Sequence, residues 1–316
     1  LLRPITVGPI QIDAPVILAP MSGVTDLPFR RLCRELQAPM VVSEMIASQA
    51  MLRENRQTLK MAEVDGFGAP SAVQLAGCEP QVMAEAAKLN QDRGAAIIDI
   101  NMGCPAKKVT GGLSGAALMR DLDHALTLID AVVGAVSVPV TLKMRLGWDE
   151  DCLNAPDLAR RASDAGVRML TVHGRTRAQF YKGRADWSRI RAVANLPGRP
   201  PLVANGDVVD GALARAALAA SGADAVMVGR GAQGAPWRLA GIAHDLDQQP
   251  APALHPQEVP RRLIGHDDAT TGYVVRLLAA DDQNRVLQRL KRAVQQFGRN
   301  QRLAFGRFRR QRLHAW

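Results

Sequence analysis

The sequence of 316 residues has no apolar run long enough to span a bilayer. Its best candidate, AVVGAVSVPVTL from Ala131, is short and carries a serine and a proline. The opening segment LLRPITVGPIQIDAP has neither the apolar h-region nor the small-residue cleavage site of a signal peptide. Only four cysteines occur, Cys33, Cys78, Cys104 and Cys152, with no CxxC pair and no flanking histidine pattern. That spacing argues against a disulfide framework and against a zinc module, and it predicts reduced thiols and no metal. Together these absences predict a soluble globular protein of the cytoplasm, with no membrane partner.

Acidic residues are missing from one end alone. From Arg285 to Trp316 there are ten basic residues, nine Arg and one Lys, and no acidic ones, so the rest of the chain balances at 30 against 30. The whole net charge of +10 therefore sits in the tail. Such a tail attracts a polyanion; the competing reading is a solvated basic end with no specific partner.

What the sequence does have is a recurring unit. Short apolar runs rich in β-branched residues begin near residues 15, 40, 71, 96, 138, 169, 201 and 224, each followed by a longer Ala/Leu/Arg-rich stretch with helical spacing. Runs that are continuously apolar fit parallel strands buried on both faces, and the intervals hold one crossover helix each. Eight such units predict an α/β fold, a (β/α)8 TIM barrel over residues 1–245, then a small, mainly helical C-terminal region. A doubly wound open sheet fits less well, because no GxGxxG turn follows the first run. The segment DQQPAPALHPQEVP carries four prolines and predicts a linker over 246–260, leaving 261–316 as a helical and basic region.

The carboxyl ends of the runs converge on one rim in such a barrel, where active sites are built. They place Met21, Glu44, Gln74, Asn101, Lys143, His173, Asn205 and the pair Gly229–Arg230 there. Each alone reads better as a turn former or a helix cap, but six polar groups at the ends of eight strands argue for a site. The last two loops, NGD (Asn205, Gly206, Asp207) and GRG around Arg230, suit a phosphate, because glycine lets the backbone approach an anion and Arg pairs with it. Lys143, Gln74 and His173 suit the ring of a reduced flavin better than a small sugar phosphate.

In INMGCPAKKV, Cys104 lies between Gly103 and Pro105 in the loop after the fourth run. A thiol there is a rim candidate, whereas Cys33 in FRRLCRELQ reads as a buried small hydrophobe. Cys78, after the third run, is its direct competitor.

The segment DINMGCPAKKVTGGLSGAALMRD, residues 99 to 121, resembles the signature of the tRNA-dihydrouridine synthases, most closely the B-type bacterial branch. APMSGVTDLPFR, SEM, VQLAG, TLKMRLGWD, TVHGRTRAQFYKGRADW, ANGD and VGRGAQGAPW support it in order along the chain. The resemblance implies an FMN-containing barrel with NADPH as reductant and tRNA as substrate. It implies hydride delivery from the flavin to uracil C6 and a proton from Cys104, as general acid, to C5. It places Ala19, Pro20, Met21 and Gln74 at the flavin, with Lys143 and His173 at the ring and ribityl region. Asn205, Gly206, Asp207, Gly229 and Arg230 would hold the phosphate. Asn101 would orient uracil or flavin, and Lys107, Lys108, Arg175 and Arg177 would meet RNA near the mouth, against the reading of each as solvated surface.

The resemblance weakens toward the end of the chain. The B-type branch leads one to expect an Arg-Lys-His segment and then Gly-Trp-Tyr, where this chain has RRLIGHDDATTGYVVRLLAADD. Divergence of the helical domain and a shifted reading frame both account for the departure. Two rival functions share the barrel: a flavin dehydrogenase acting on a free pyrimidine, and a non-catalytic RNA-binding barrel. The Gly-Cys-Pro block and the missing iron-sulfur cysteines argue against the first. A sugar-phosphate isomerase would want paired carboxylates or a Glu/His base at the rim, and only Glu44 offers that.

Overall fold

Each of the eight apolar runs is a strand in the computed structural model, which describes residues 3–64 and 70–247. The region expected at 261–316, and the expected linker beyond Asp247, lie outside the described residues. A hairpin of two short strands comes first, β1 (Ile5–Val7) and β2 (Ile10–Ile12). The barrel follows with β3 (Val16–Leu18), β4 (Met40–Ala47), β5 (Ser71–Ala76), β6 (Ile97–Met102), β7 (Val140–Arg145), β8 (Met169–His173), β9 (Leu202–Asn205) and β10 (Ala225–Val228). These pair in parallel in sequence order, and β10 closes onto β3. The fold is a TIM barrel.

The period of two along each strand sorts the side chains into two cores. The described helices before β9 are α1 (Leu27–Glu35), α2 (Ser48–Leu52), α3 (Arg56–Met61), α4 (Pro80–Asp92), α5 (Lys107–Thr110), α6 (Leu122–Ala135), α7 (Ala155–Asp164) and α8 (Arg191–Ala194). Val73, Leu75, Ile98, Ile100, Leu142, Met144, Leu170 and Val172 pack outward with α4, α6 and α7. Each of these buried aliphatic side chains contributes roughly 1.5–3 kcal/mol. Helix starts follow local chemistry: α4 and α7 carry proline in the first turn, and the Asp121 carboxylate accepts from His124 N to cap α6.

The alternate residues face the barrel interior. Ile17, Met40, Val42, Ala72, Ile97, Met169, Val203 and Ala225 form its apolar lower part, joined by Ile5, Val7 and Ile12 of the hairpin. The hairpin turns at Gly8, where φ is 59° and an added Cβ would lie 2.9 Å from Pro139 Cγ. Sequence periodicity did not reveal it, because two strands of three residues are too short to show a period.

Further along the same inward faces the residues turn polar: Gln74, Asp99, Asn101, Thr141, Lys143, Arg145, Thr171, His173 and Asn205. The register aligns Gln74 with Asp99, Asn101 with Lys143, and His173 with Asn205. A register shift in β4 between Val42 and Met45 changes which side chains face inward there. The expectation of one helix per unit is met unevenly: β4 and β5 are joined through two short helices, Ser48–Leu52 and Arg56–Met61, a single helical turn at Lys107–Thr110 precedes the helix between β6 and β7, and between β8 and β9 only a 3-10 turn and the single-turn α8 (Arg191–Ala194) occur. The chain after His173 runs instead into a long loop that returns to the rim. Among the described residues no helix is long and apolar enough to cross a membrane.

Candidate active site

The polar end of the barrel opens into a cavity of about 650 Å3. Its floor is a hydrogen-bonded set from neighbouring strands. Asp99 Oδ1 accepts from the Thr141 hydroxyl at 2.5 Å and its Oδ2 accepts from Gln74 Nε2 at 2.6 Å. Gln74 Oε1 accepts in turn from Asn101 Nδ2 at 2.7 Å, and the Gln74 backbone N–H donates to Ser43 Oγ at 3.0 Å. Burial pushes the Asp99 carboxyl up from its ordinary value, opposed by those two hydrogen bonds and by the charge of Lys143.

Above this floor stands Cys104. The N–H groups of Gly103 and Cys104 both donate to Asn101 Oδ1, at 3.1 and 2.9 Å. The Gly103 carbonyl accepts from Arg145 Nε at 2.8 Å, and the Cys104 carbonyl accepts from Ala116 N at 3.1 Å. Every polar backbone group of this dipeptide is thus held. Gly115, with φ 61°, lets the following loop close on it: a Cβ there would sit 2.9 Å from the Cys104 carbonyl oxygen and 3.1 Å from its Cβ.

The walls are strongly basic. Lys143, Arg145, Arg175, Arg230 and Arg238 line the cavity against the single carboxylate of Asp207. Burial pushes the Lys143 ammonium down to about 8, helped by Arg145 and opposed by Asp99 and Cys104. Arg145 is 1% exposed and donates to the Thr176 and Phe180 carbonyls as well as to Gly103. Burial lowers it to about 10. Arg175 is buried and tied to Asp207 at 2.6 Å, and Asp207 also accepts from Ala185 N at 2.7 Å. An Arg175 N–H faces His173 Nε2 at 3.2 Å, so that nitrogen accepts and the imidazole is neutral. Burial and the surrounding cations hold His173 well below its ordinary value, in agreement.

The model of the family described as dihydrouridine synthase matches residues 17–303. The chain belongs to that family. A protein of Rhodobacter capsulatus named probable tRNA-dihydrouridine synthase is 61% identical over 251 residues, covering 79% of this chain and 77% of its own. A Rickettsia conorii protein of the same name is 54% identical over 80% of this chain and 77% of its own. The tRNA-dihydrouridine synthase B of Xanthomonas axonopodis pv. citri is 48% identical over 83% of this chain and 79% of its own.

Most residues singled out in the sequence meet in the one cavity. Ala19, Pro20, Met21, Gln74, Asn101, Cys104, Lys143, His173, Arg175, Asn205, Gly206, Asp207, Gly229 and Arg230 all line it. Lys107 and Lys108 do not; they are exposed on the short helix α5 (Lys107–Thr110) that follows Cys104. Arg177 lies 4.5 Å over the Trp148 ring and is not among the lining residues. Of the two rim thiols, Cys104 lines the cavity and Cys78 does not. The Glu44 carboxylate is buried away from the cavity and accepts from Gly23 N at 2.5 Å.

Three residues of this site escaped the reading of strand ends. Asp99 and Arg145 sit two positions from Asn101 and Lys143, so strand periodicity puts them on the same inward face and could have found both. Tyr181, 48% exposed at the mouth and within 5.2 Å of the Arg230 guanidinium, comes from the loop after β8, where no spacing rule applies. Among the described residues there is no group of three or more His, Cys, Asp or Glu able to hold a metal.

Proposed function

We propose that this protein reduces uridine in tRNA to 5,6-dihydrouridine, with FMN seated in the rim cavity, NADPH as its reductant, and Cys104 as the acid that protonates uracil C5. The observation that carries the reading is the Cys104 cradle, which sets a lone thiol rigidly in the wall of a basic cavity.

The cavity fits the cofactor by volume and by charge. About 650 Å3 lies within the range of roughly 300–1,000 Å3 used by ligand sites, and an excess of cationic lining suits a phosphate-bearing, electron-rich ring. Ala19, Pro20 and Met21 offer an apolar wall for the ring, and Gln74 offers an amide edge beneath it. Lys143 and neutral His173 face the ring and ribityl region, while Asn205, Gly206, Gly229 and Arg230 suit the phosphate. Asp207 faces Arg175 and Arg230 and so holds cations in place rather than meeting the anion itself. The chemistry that FMN held by these residues would supply is the hydride for uracil C6.

Cys104 completes the reduction by passing its thiol proton to C5. The thiolate left behind is attracted by Lys143 and Arg145, whose charges both interact with it. A uracil reaches this thiol only if it leaves the RNA stack, and Phe180 and Tyr181 give the mouth exposed rings beside which a base can sit. Lys107 and Lys108, exposed next to the Cys104 loop, suit the phosphates of the same strand.

The test is direct. Purified protein, NADPH and tRNA lacking dihydrouridine are incubated, and nucleosides are analysed by mass spectrometry. A uridine heavier by one hydride plus one proton is expected. Reduction of free uracil or dihydroorotate chemistry with none on tRNA would replace this reading with the free-pyrimidine one, and purified protein without flavin would favour the non-catalytic barrel.

A further inference from the structure

The floor of the cavity has a direction built into it. At one end stand the N–H groups of Gly103 and Cys104, which can only donate, and Asn101 Oδ1 accepts both at 3.1 and 2.9 Å. That fixes the Asn101 amide, so its Nδ2 must point to Gln74 and donate to Oε1 at 2.7 Å. Gln74 is fixed in turn, and its Nε2 must meet an acceptor, which is Asp99 Oδ2 at 2.6 Å. A carboxylate is the side chain that accepts without ambiguity, and Thr141 donates to its other oxygen. Donor and acceptor ends therefore agree on one orientation for two amides that would otherwise be free to flip.

We propose that Asp99 is a positioning residue for the reaction: through Gln74 and Asn101 it locks the Gly103–Cys104 backbone and so aims the Cys104 thiol. The inference rests on the reading of Cys104 as the acid. Asp99 is 3% exposed and Gln74 fully buried, so no bulk water competes for these bonds. A flipped amide anywhere in the chain would place an N–H against the Cys104 amide, or two oxygens face to face, and the loop would have to move to relieve it. Catalysis is sensitive to such movement, since a misplacement of about 1 Å costs on the order of 10²-fold.

The experiment uses the holoenzyme and two readouts. One is kcat and KM for tRNA; the other is the rate at which iodoacetamide alkylates Cys104, read by peptide mass spectrometry. Asn101→Asp replaces the donor to Gln74 by an acceptor while keeping the acceptor for the loop. It is expected to lower kcat by about 10²-fold with KM for tRNA little moved, and to change the Cys104 alkylation rate several-fold. Asp99→Ala is expected to act in the same direction. Asp99→Asn can present Oδ1 to Gln74 and Nδ2 to the Thr141 oxygen, and it should recover most of what Asp99→Ala loses. If Asp99→Ala fails to fold, Asn101→Asp against Asp99→Asn decides. A kcat and an alkylation rate in Asn101→Asp equal to the parent's would overturn the proposal. So would an Asp99→Asn variant as impaired as Asn101→Asp. Failure of the underlying acid reading looks different: Cys104→Ala would keep reducing uridine, while Asn101→Asp would still change the alkylation rate.

Discussion

Lys143 should cost the flavin-free protein stability, and replacing it by methionine should show how much. Burial, with the repulsion of Arg145, holds its ammonium at about 8 instead of 10.5. Between those two pH values the unfolded chain binds a proton that the folded chain has released, so stability rises with pH across that window. Below pH 8 the cost is fully present, and above 10.5 it is gone. At pH 7 it amounts to about 3 kcal/mol, and at pH 10 to less than about 1 kcal/mol. Lys143→Met removes the charge and keeps an unbranched side chain of similar length, so it should stabilise flavin-free protein by about 2–3 kcal/mol at pH 7 and far less at pH 10. Urea unfolding at both pH values, with the slope m checked for constancy, measures this. The same variant should retain less flavin, because the unfavourable cation is what an electron-rich ring would use. A variant no more stable than the parent at pH 7, or one whose gain persists undiminished at pH 10, would show that the Lys143 ammonium is not held down by burial.

Three further substitutions probe the thiol, the glycine loop beside His173, and backbone strain outside the cavity. Cys104→Ala should keep bound flavin and NADPH oxidation while uridine reduction in tRNA falls by 10²-fold or more, on the order expected for a lost general acid; activity retained there but lost in Cys78→Ala would name the other thiol. Gly206 has φ 118°, and a Cβ on it would lie 2.6 Å from Ala185 Cβ and 2.9 Å from His173 Cδ2. Gly206→Ala should therefore cost about 2–4 kcal/mol in urea unfolding and weaken flavin retention, and an unperturbed variant would mean that His173 and the Ala185 loop yield freely. Leu113 is 66% exposed at φ 53°, a conformation that asparagine tolerates better, so Leu113→Asn should raise stability by about 0.5–1 kcal/mol with no burial lost; a lower urea midpoint would refute the strain.

How much of this could be read from residues alone depended on whether a period carried the information. The eight buried strands were legible because each is a continuous apolar run, most of them ending in a polar residue, and the strand-end positions other than Glu44 converge on one cavity. The same period of two, continued one step, leads from Lys143 to Arg145 and from Asn101 back to Asp99, yet both lie inside runs that otherwise read as core. Two features had no such signal. The tie between Arg175 and Asp207 joins loops 32 positions apart, and the loop bearing Tyr181 takes the place of a crossover helix. Arg175, expected to meet RNA near the mouth, is buried beside His173, where Asp207 and the Lys182 and Gly183 carbonyls accept from its guanidinium.

The barrel interior explains why these charges gather where they do. Its lower part is closed by Ile5, Val7 and Ile12 against Ile17, Met40, Ala72, Ile97, Met169 and Val203, so a charge placed there would have neither water nor a partner. One layer up, Asp99 is the buried carboxylate around which Thr141 and Gln74 donate, and its charge opposes the burial penalty on Lys143. Above that, Arg145 and Arg175 are satisfied by loop carbonyls and by Asp207 rather than by the sheet. Positive charge thus grows toward the rim as acceptors from the loops become available, and Lys143 and Arg230, the latter paired with Asp207 at 3.4 Å, face the cavity. An anionic ligand bound between them would relieve a cost that the fold already carries, which is why binding and stability should be coupled through Lys143.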